Sequence, residues 1–161
     1  MKKLLIATLF LAMTASTYAA TDVKADDDSK SISYTVLNQF AAEFSDATNV
    51  VWTLTTQFQK ASFVSNGDKI SAYYSPLGDY LGATKFVSID VVPAKAKAEI
   101  AKKYEGYTVS YAIQVISRPY VANATDDTGS YWVDITDGKK ELYLKVTPFG
   151  GIELIKESAV K

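Results

Sequence analysis

The stretch VPAKAKAEIAKKYEGYTVSYAIQVI, residues 92–116, determines how we expect the rest of the chain to fold. Pro93 suits the first turn of a helix, because a backbone N–H at that position makes no hydrogen bond within the helix. Ala96, Ile100 and Tyr104 then recur every four residues and form one apolar stripe. The first half of the stretch therefore predicts an amphipathic helix.

Beyond Gly106, which suits the left-handed end of a helix, the apolar period changes to two. The alternating residues are Tyr107, Val109, Tyr111, Ile113 and Val115. This alternation predicts a half-buried strand, with these residues in the core. A helix that runs directly into a strand is a structural signal, and the stretch carries no reactive group.

A similar order of signals occurs earlier in the chain. Val36, Phe40 and Phe44 predict a helix that begins near Tyr34. Alternating apolar residues around Trp52 then predict a strand, with its ring in the core. Dipeptides of the kind found in tight hairpins follow in both halves of the chain, and these are Asn66-Gly67 and Asp137-Gly138.

The ordered recurrence of helix, strand and turn signals predicts an internal repeat. Ser75-Pro76-Leu77-Gly78 matches Thr147-Pro148-Phe149-Gly150 as well. We therefore predict an α+β fold made of two tandem repeats, 34–91 and 92–155. Each repeat would contain a helix followed by antiparallel strands, with the helices packed on one face of the sheet.

The first residues have the pattern of a secretory signal peptide. Lys2 and Lys3 precede the apolar run 4–12, and small residues follow up to Ala19. The run is too short to span a membrane comfortably. We expect residues 1–19 to be the signal peptide, with cleavage after Ala19. The remaining protein would be periplasmic or secreted and would not contact the membrane.

The segment after the signal peptide is expected to be a linker. Residues 20–33 are polar and acidic and have no apolar period, as is typical of disordered segments. The folded domain would then cover 34–161.

Composition excludes several kinds of site. The sequence has no cysteine and no histidine, which removes thiol chemistry, the commonest general base and the commonest metal ligand. Its formal net charge is −1, and Arg118 is its only arginine, so it lacks the basic surface of a nucleic-acid-binding protein. We predict no catalytic residues, no metal site, no cofactor and no nucleic-acid partner.

Aromatic residues on the strands form the candidate binding site. If the apolar residues of the last strands face the helix, a period of two places Trp132, Tyr143 and Lys145 on the opposite face. Tyr73 takes an outward position in the first half. Aromatic residues on an otherwise polar face are typical of protein-binding surfaces. Replacing Trp132 and Tyr143 with alanine should then remove binding and leave the fold intact. Alternatively, the other repeat or loops partly cover this face.

Several of these residues also resemble a known family. A Phe-x-x-x-Phe helix followed by Asn-Val-x-Trp and a hairpin glycine is similar to the PepSY-like, or beta-lactamase-inhibitor-like, family of periplasmic proteins. The resembling residues are 40–44 (FAAEF), 49–52 (NVVW), Gly67, Tyr73 and Gly78, and then Pro93, Ile100, 104–107 (YEGY), Gly138 and Gly150. The resemblance covers residues 34–155 and its motifs are structural, so it supplies no functional residues.

The resemblance implies helices laid on antiparallel sheets, and a periplasmic, non-catalytic domain with an inhibitory or ligand-binding role. The leading hypothesis is therefore a non-catalytic periplasmic module that binds a protein partner through the outward aromatic face, with inhibition of that partner as one form of this role. A second hypothesis is a carrier that holds a small molecule between helix and sheet. A third, less favoured because activated groups are missing, is a hydrolase that works without histidine.

Overall fold

The computed structural model describes residues 27–116 and 127–160. This part of the chain contains two α-helices, α1 (Tyr34–Glu43) and α2 (Ala94–Lys103), and two 3-10 helices, Ser29–Ser31 and Ile89–Val91. The strands are β1 (Thr48–Leu54), β2 (Gln59–Ser65), β3 (Asp68–Tyr74), β4 (Tyr80–Val87), β5 (Thr108–Ile116), β6 (Tyr131–Thr136), β7 (Lys140–Val146) and β8 (Ile152–Ala159). The predicted signal peptide and residues 20–26 of the predicted linker lie outside the described residues.

The strands correct the predicted architecture. They form one eight-stranded sheet with the order β1-β2-β3-β4-β5-β6-β7-β8, and the two α-helices have only ten residues each. The prediction of two tandem helix-plus-sheet repeats is therefore wrong, although the α+β class fits. An apolar period locates a strand but does not identify its neighbours. The helical segment before β5 therefore could not be recognised from sequence as a connection within a single sheet.

The described residues divide into two units: residues 27–83, and residues 84–116 with 127–160. In the first unit, the hydroxyl of Ser33 caps α1 by accepting a hydrogen bond from the backbone N–H of Val36 at 3.3 Å. The Phe40 ring packs edge-on against Trp52 and Phe63, with centroid separations of 5.2 and 5.0 Å. These aromatic contacts hold α1 on β1 and β2.

Asp27 and Asp28, which the sequence assigned to a linker, are hydrogen-bonded to β1. The carboxylate of Asp27 accepts hydrogen bonds from the Ser29 hydroxyl at 2.8 Å and the Trp52 N–H at 3.1 Å. These bonds, that from the Ser29 hydroxyl first, hold the pKa of Asp27 below its ordinary value. Asp28 accepts a further bond from the N–H of Leu54 at 2.8 Å. The acidic residues thus satisfy backbone donors along β1.

In the second unit, α2 packs on the strands that follow it. Ala96 is fully buried and Ile100 is 7% exposed, so the helical stripe predicted from the sequence lies in the core. The core consists of Val92, Ala96, Ile100, Ala112, Val133, Ile135, Leu142, Leu144 and Val146. Alternate residues of β6 and β7 therefore point toward α2.

A β-bulge in β5 changes which residues share a face. Val109 pairs with Ile135, but Tyr111 pairs with Asp134, which leaves Ser110 as the extra residue. Val109 consequently lies beside Ile135 on the α2 side, whereas Tyr111 lies across from Asp134. The predicted single alternating face from Tyr107 to Val115 is thus interrupted at Ser110.

The turn between β7 and β8 provides a stability test of the packing against α2. Gly150 and Gly138 have φ of +80° and +83°, where alanine costs about 1–2 kcal/mol. A Cβ on Gly150 would also lie 3.3 Å from the Lys95 Cβ, whereas one on Gly138 would meet nothing within 4 Å. We expect Gly150→Ala to lower the free energy of unfolding, measured with urea, more than Gly138→Ala does. Equal losses would contradict this packing.

Candidate binding surfaces

Three of the four predicted binding residues lie on one face of the second unit. Trp132 on β6 and Lys145 on β7 are direct register partners, and Tyr143 lies two residues from Lys145. Tyr73 lies on β3 of the first unit, where its ring packs edge-on against Phe58 at 5.8 Å. The core against α2 includes Val133, Leu142 and Leu144 but none of the four.

The three aromatic residues are buried, so other residues cover the positions that the sequence placed on the outward face. Trp132 and Tyr143 are each 2% exposed, and Tyr73 is 4% exposed. Lys145 forms an ion pair with Asp127, in which the two side chains are 22% and 13% exposed. The period of two indicates which face a side chain takes, but it does not say whether other residues cover that face. These residues therefore offer a partner little contact area.

A buried carboxyl group lies between two tyrosines on the same face. Asp134 is 3% exposed, and its register partners are Tyr111 on β5 and Tyr143 on β7. Burial, and then the nearby charge of Glu141, raise the pKa of Asp134 to about 6, against hydrogen bonds from Ser110 and Tyr111 that lower it. At neutral pH this carboxylate is held in a poorly solvated site.

The neighbouring tyrosine is also part of a polar network. The Tyr143 hydroxyl donates a hydrogen bond to Glu141 Oε2 at 2.9 Å, and the Lys156 ammonium lies 5.6 Å from the ring centroid. Burial, and then the bond to Glu141, raise the pKa of Tyr143 above its ordinary value. Because Asp134 and Tyr143 are buried, their perturbed pKa values indicate a structural network, with little access for a substrate.

Two apolar side chains that the sequence did not single out project fully into solvent. Leu77 is 93% exposed and Phe149 is 92% exposed. Each lies in a Pro-x-Gly turn, at Pro76-Leu77-Gly78 in the first unit and Pro148-Phe149-Gly150 in the second. An apolar residue in the centre of a turn was the available signal, because central turn side chains point away from the strands and residues of this kind are usually buried.

Hydrogen bonds fix the turn that carries Phe149. The Gly150 N–H donates to the Thr147 carbonyl at 2.9 Å, and the Thr147 N–H donates to the Gly151 carbonyl at 2.8 Å. The Gly151 N–H donates to the Thr147 hydroxyl at 2.9 Å. The Phe149 ring is therefore presented on a closed backbone turn, which limits the conformational entropy lost when a partner covers it.

A cleft of about 280 Å³ lies beside α2 in the second unit. Ile100, Ala101 and Tyr104 line it from the helix, and Val109 and Ile135 line it from the sheet. Its volume falls just below the range of about 300–1,000 Å³ that is typical of small-molecule sites. The cleft therefore lies at the lower limit of the sizes found for small-molecule sites.

The described residues lack two further features. Within 27–116 and 127–160, no group of three or more Asp or Glu residues is arranged to hold a metal ion. Over the same ranges, neither helix has the length and apolar character needed to cross a membrane.

No protein-family model and no curated protein matches the chain. Solved structures share its fold. A DUF2874 family protein from Bacteroides uniformis aligns with a TM-score of 0.62 at 17% identity, over 80% of this chain and 89% of that one. A BLIP-like protein from Bacteroides fragilis aligns with a TM-score of 0.62 at 18% identity, over 83% and 92%.

A third structure, of a Bacteroides eggerthii protein described as periplasmic, aligns with a TM-score of 0.61 at 16% identity, over 79% of this chain and 88% of that one. At these identities the likeness establishes the fold alone. The chain therefore has a BLIP-like fold, and the likeness does not extend to the PepSY-like family in particular.

Asp134 should make stability depend on pH. Between its ordinary pKa of 3.8 and about 6, the native state retains a proton that the unfolded chain has lost, so stability falls as pH rises through this interval. Asp134→Asn cannot ionise. The free energy of unfolding of Asp134→Asn minus that of wild type, measured with urea, should increase by up to about 3 kcal/mol from pH 4 to pH 7. Glu99→Gln, at an exposed acid on α2, is the control. Parallel profiles for wild type and Asp134→Asn would contradict the assignment.

Proposed function

We propose that the chain is a non-catalytic periplasmic module that binds a protein partner, and that Phe149 is its main contact. The observation that carries this proposal is a phenylalanine 92% exposed on a hydrogen-bonded turn. Exposed aromatic residues in rigid positions are typical of residues that dominate protein interfaces. Transfer of such a side chain from water into a partner's surface contributes about 1.5–3 kcal/mol.

Leu77 is proposed as the corresponding contact in the first unit. Its turn is closed by a hydrogen bond from the Gly78 N–H to the Ser75 carbonyl at 3.0 Å. Gly78 is pressed against α1, since a Cβ there would lie 3.3 Å from Val36 Cγ2. The 93% exposed Leu77 side chain is thus also carried by a constrained turn.

The residues that the sequence placed at the contact receive a different role. Trp132, Tyr143 and Tyr73 are proposed to stabilise the strands, because each is at most 4% exposed. Lys145 is proposed to fix the position of Asp127 relative to β7 through their ion pair. A partner would then meet the residues that border these side chains.

The shared fold supports the address and the class of function. A structure with the same fold comes from a protein described as periplasmic, and the proposed signal peptide over 1–19 would direct export. Another comes from a BLIP-like protein, which supports the finer proposal that the partner is an enzyme inhibited by the module. The carrier alternative has less support, because the cleft beside α2 is small for a carried ligand.

The contact can be tested by capturing partners from the periplasm of the source organism with wild type and Phe149→Ala. The partner identified with wild type should bind Phe149→Ala about tenfold or more weakly, because the anchor's apolar area is lost. Tyr34→Ala is the matched control, since Tyr34 is 78% exposed on α1.

Unchanged affinity of Phe149→Ala would overturn the assignment of this contact. Circular dichroism of each variant would verify that the fold is kept. Assays of periplasmic peptidases and beta-lactamases with the captured complex would test inhibition, and full enzyme activity in the complex would reject the inhibitory form of the proposal.

A further inference from the structure

The sheet has two outer strands, β1 and β8. The outward side of such a strand presents unpaired backbone N–H and C=O groups, to which another strand can pair. On β1, the carboxylates of Asp27 and Asp28 accept hydrogen bonds from the N–H groups of Trp52 and Leu54. The Asp28 N–H also donates to the Trp52 carbonyl at 3.1 Å. These outward backbone groups of β1 are therefore satisfied within the chain.

Strand β8 has no corresponding cover on its outward side within residues 27–116 and 127–160. Its inward side pairs with β7 over the whole strand, Ile152–Ala159, and no other described strand is hydrogen-bonded to it. No hydrogen bond from the described residues reaches its outward backbone groups. Leu154, near its centre, is 45% exposed. The outward side of β8 is thus an edge of eight residues that is available for pairing.

A β-bulge determines which side chains of β8 share a face. The register of β8 against β7 shifts by one residue at Ile155, which is therefore the extra residue. Glu153 and Lys156 are three residues apart and would point to opposite faces of a regular strand. Because of the bulge they lie on the same face, across from Lys145 and Tyr143 of β7. The bulge thus places an acid and a base on one face, two register positions apart.

Neither of these two charges has an ion-pair partner in the described part of the chain. Lys145, the register partner of Glu153, is paired with Asp127 instead. The Lys156 ammonium lies 5.6 Å from the centroid of an aromatic ring, and no carboxylate pairs with it within the described residues. Two opposite charges on one face of an open edge are therefore available to a second strand.

We propose that the outward edge of β8 pairs with β8 of a second copy of this chain, in an antiparallel dimer whose two-fold axis passes through Leu154. A two-fold interface sets the same strand against itself, so the register decides which residues are opposed. With the axis at Leu154, each Glu153 lies opposite Lys156 of the second copy. With the axis at Glu153 or Lys156 instead, like charges would be opposed. Charge complementarity therefore selects one register.

Pairing in this register also covers the exposed centre of β8. The two Leu154 side chains lie opposite each other, which removes apolar surface from water. The outward backbone groups gain the hydrogen bonds that the Asp27–Asp28 segment supplies to β1. The dimer does not depend on the proposed function, because it uses β8 and needs no other protein.

Sedimentation velocity of the purified, exported protein tests the dimer. Wild type should shift from monomer to dimer as its concentration rises. Glu153→Lys opposes like charges at two symmetric positions of the dimer, and Lys156→Glu does the same with the other sign. Each variant should raise the dissociation constant of the dimer about tenfold or more. A wild type that stays monomeric up to about 1 mM would overturn the proposal.

A mixture of the two variants tests the register itself. When Glu153→Lys meets Lys156→Glu, both positions again join opposite charges, so the variants should associate with each other more tightly than either does with itself. Misfolding of a variant cannot produce that result. The control pair is Glu99→Lys with Lys69→Glu, at exposed positions away from β8, which carries the same net charges. Each control should dimerise as wild type does. Equal preference for the mixed dimer in both pairs would reject the register.

Amide hydrogen exchange separates strand pairing from association through another surface. The N–H groups of β8 that point away from β7 should exchange more slowly when wild type is concentrated enough to dimerise, and Lys156→Glu should lose this protection. Exchange of the Trp52 N–H, which is bonded to Asp27, should stay unchanged. A dimer without slower exchange in β8 would overturn the strand pairing. Protection of β8 only by a captured periplasmic protein, with wild type alone monomeric, would overturn the second copy in favour of a strand of that protein.

Discussion

Strand β6 is buried on both faces, and the arrangement of the second unit depends on this constraint. Val133 and Ile135 point to α2 and are at most 1% exposed, while Trp132 and Asp134 point the other way and are at most 3% exposed. A strand in this position must pack against an apolar core on one side. On the other side, its buried polar groups need hydrogen-bond partners. Asp134 is therefore accommodated among tyrosines, with a raised pKa, because water cannot solvate it freely.

The same constraint moves the candidate contacts away from the strand faces. A covered face cannot supply interface area, whereas the turns and the outward edge of β8 remain accessible. Phe149 and Leu77 lie on constrained turns, and Leu154 is 45% exposed on β8. Binding functions are commonly carried by loops that a rigid scaffold positions. The proposed contacts agree with this pattern, because the sheet is the rigid scaffold and the turns and the outward edge of β8 are the binding surfaces.

Features that depend on the residues of a single short segment were predictable from the sequence. The stripes Val36–Phe40 and Ala96–Ile100, and the turns at Asn66-Gly67 and Asp137-Gly138, follow from helical and turn preferences and are present. Sheet order, the bulge at Ser110 and the covering of Trp132 depend on contacts between distant segments, which periodicity does not encode. The burial of Trp132 and Tyr143 could not be read from the sequence for that reason. The exposure of Phe149 could have been anticipated from its place in a turn.

Burial of Trp132 is the central claim, and its fluorescence tests it most directly. Trp52 is the only other tryptophan, so a Trp52→Phe variant reports on Trp132 alone. Its folded state should emit as an indole in an apolar environment, and acrylamide should quench it several-fold less than it quenches free tryptophan. After unfolding in urea, emission and quenching should approach those of free tryptophan. Emission from the folded variant like that of free tryptophan, with equally efficient quenching, would contradict the account.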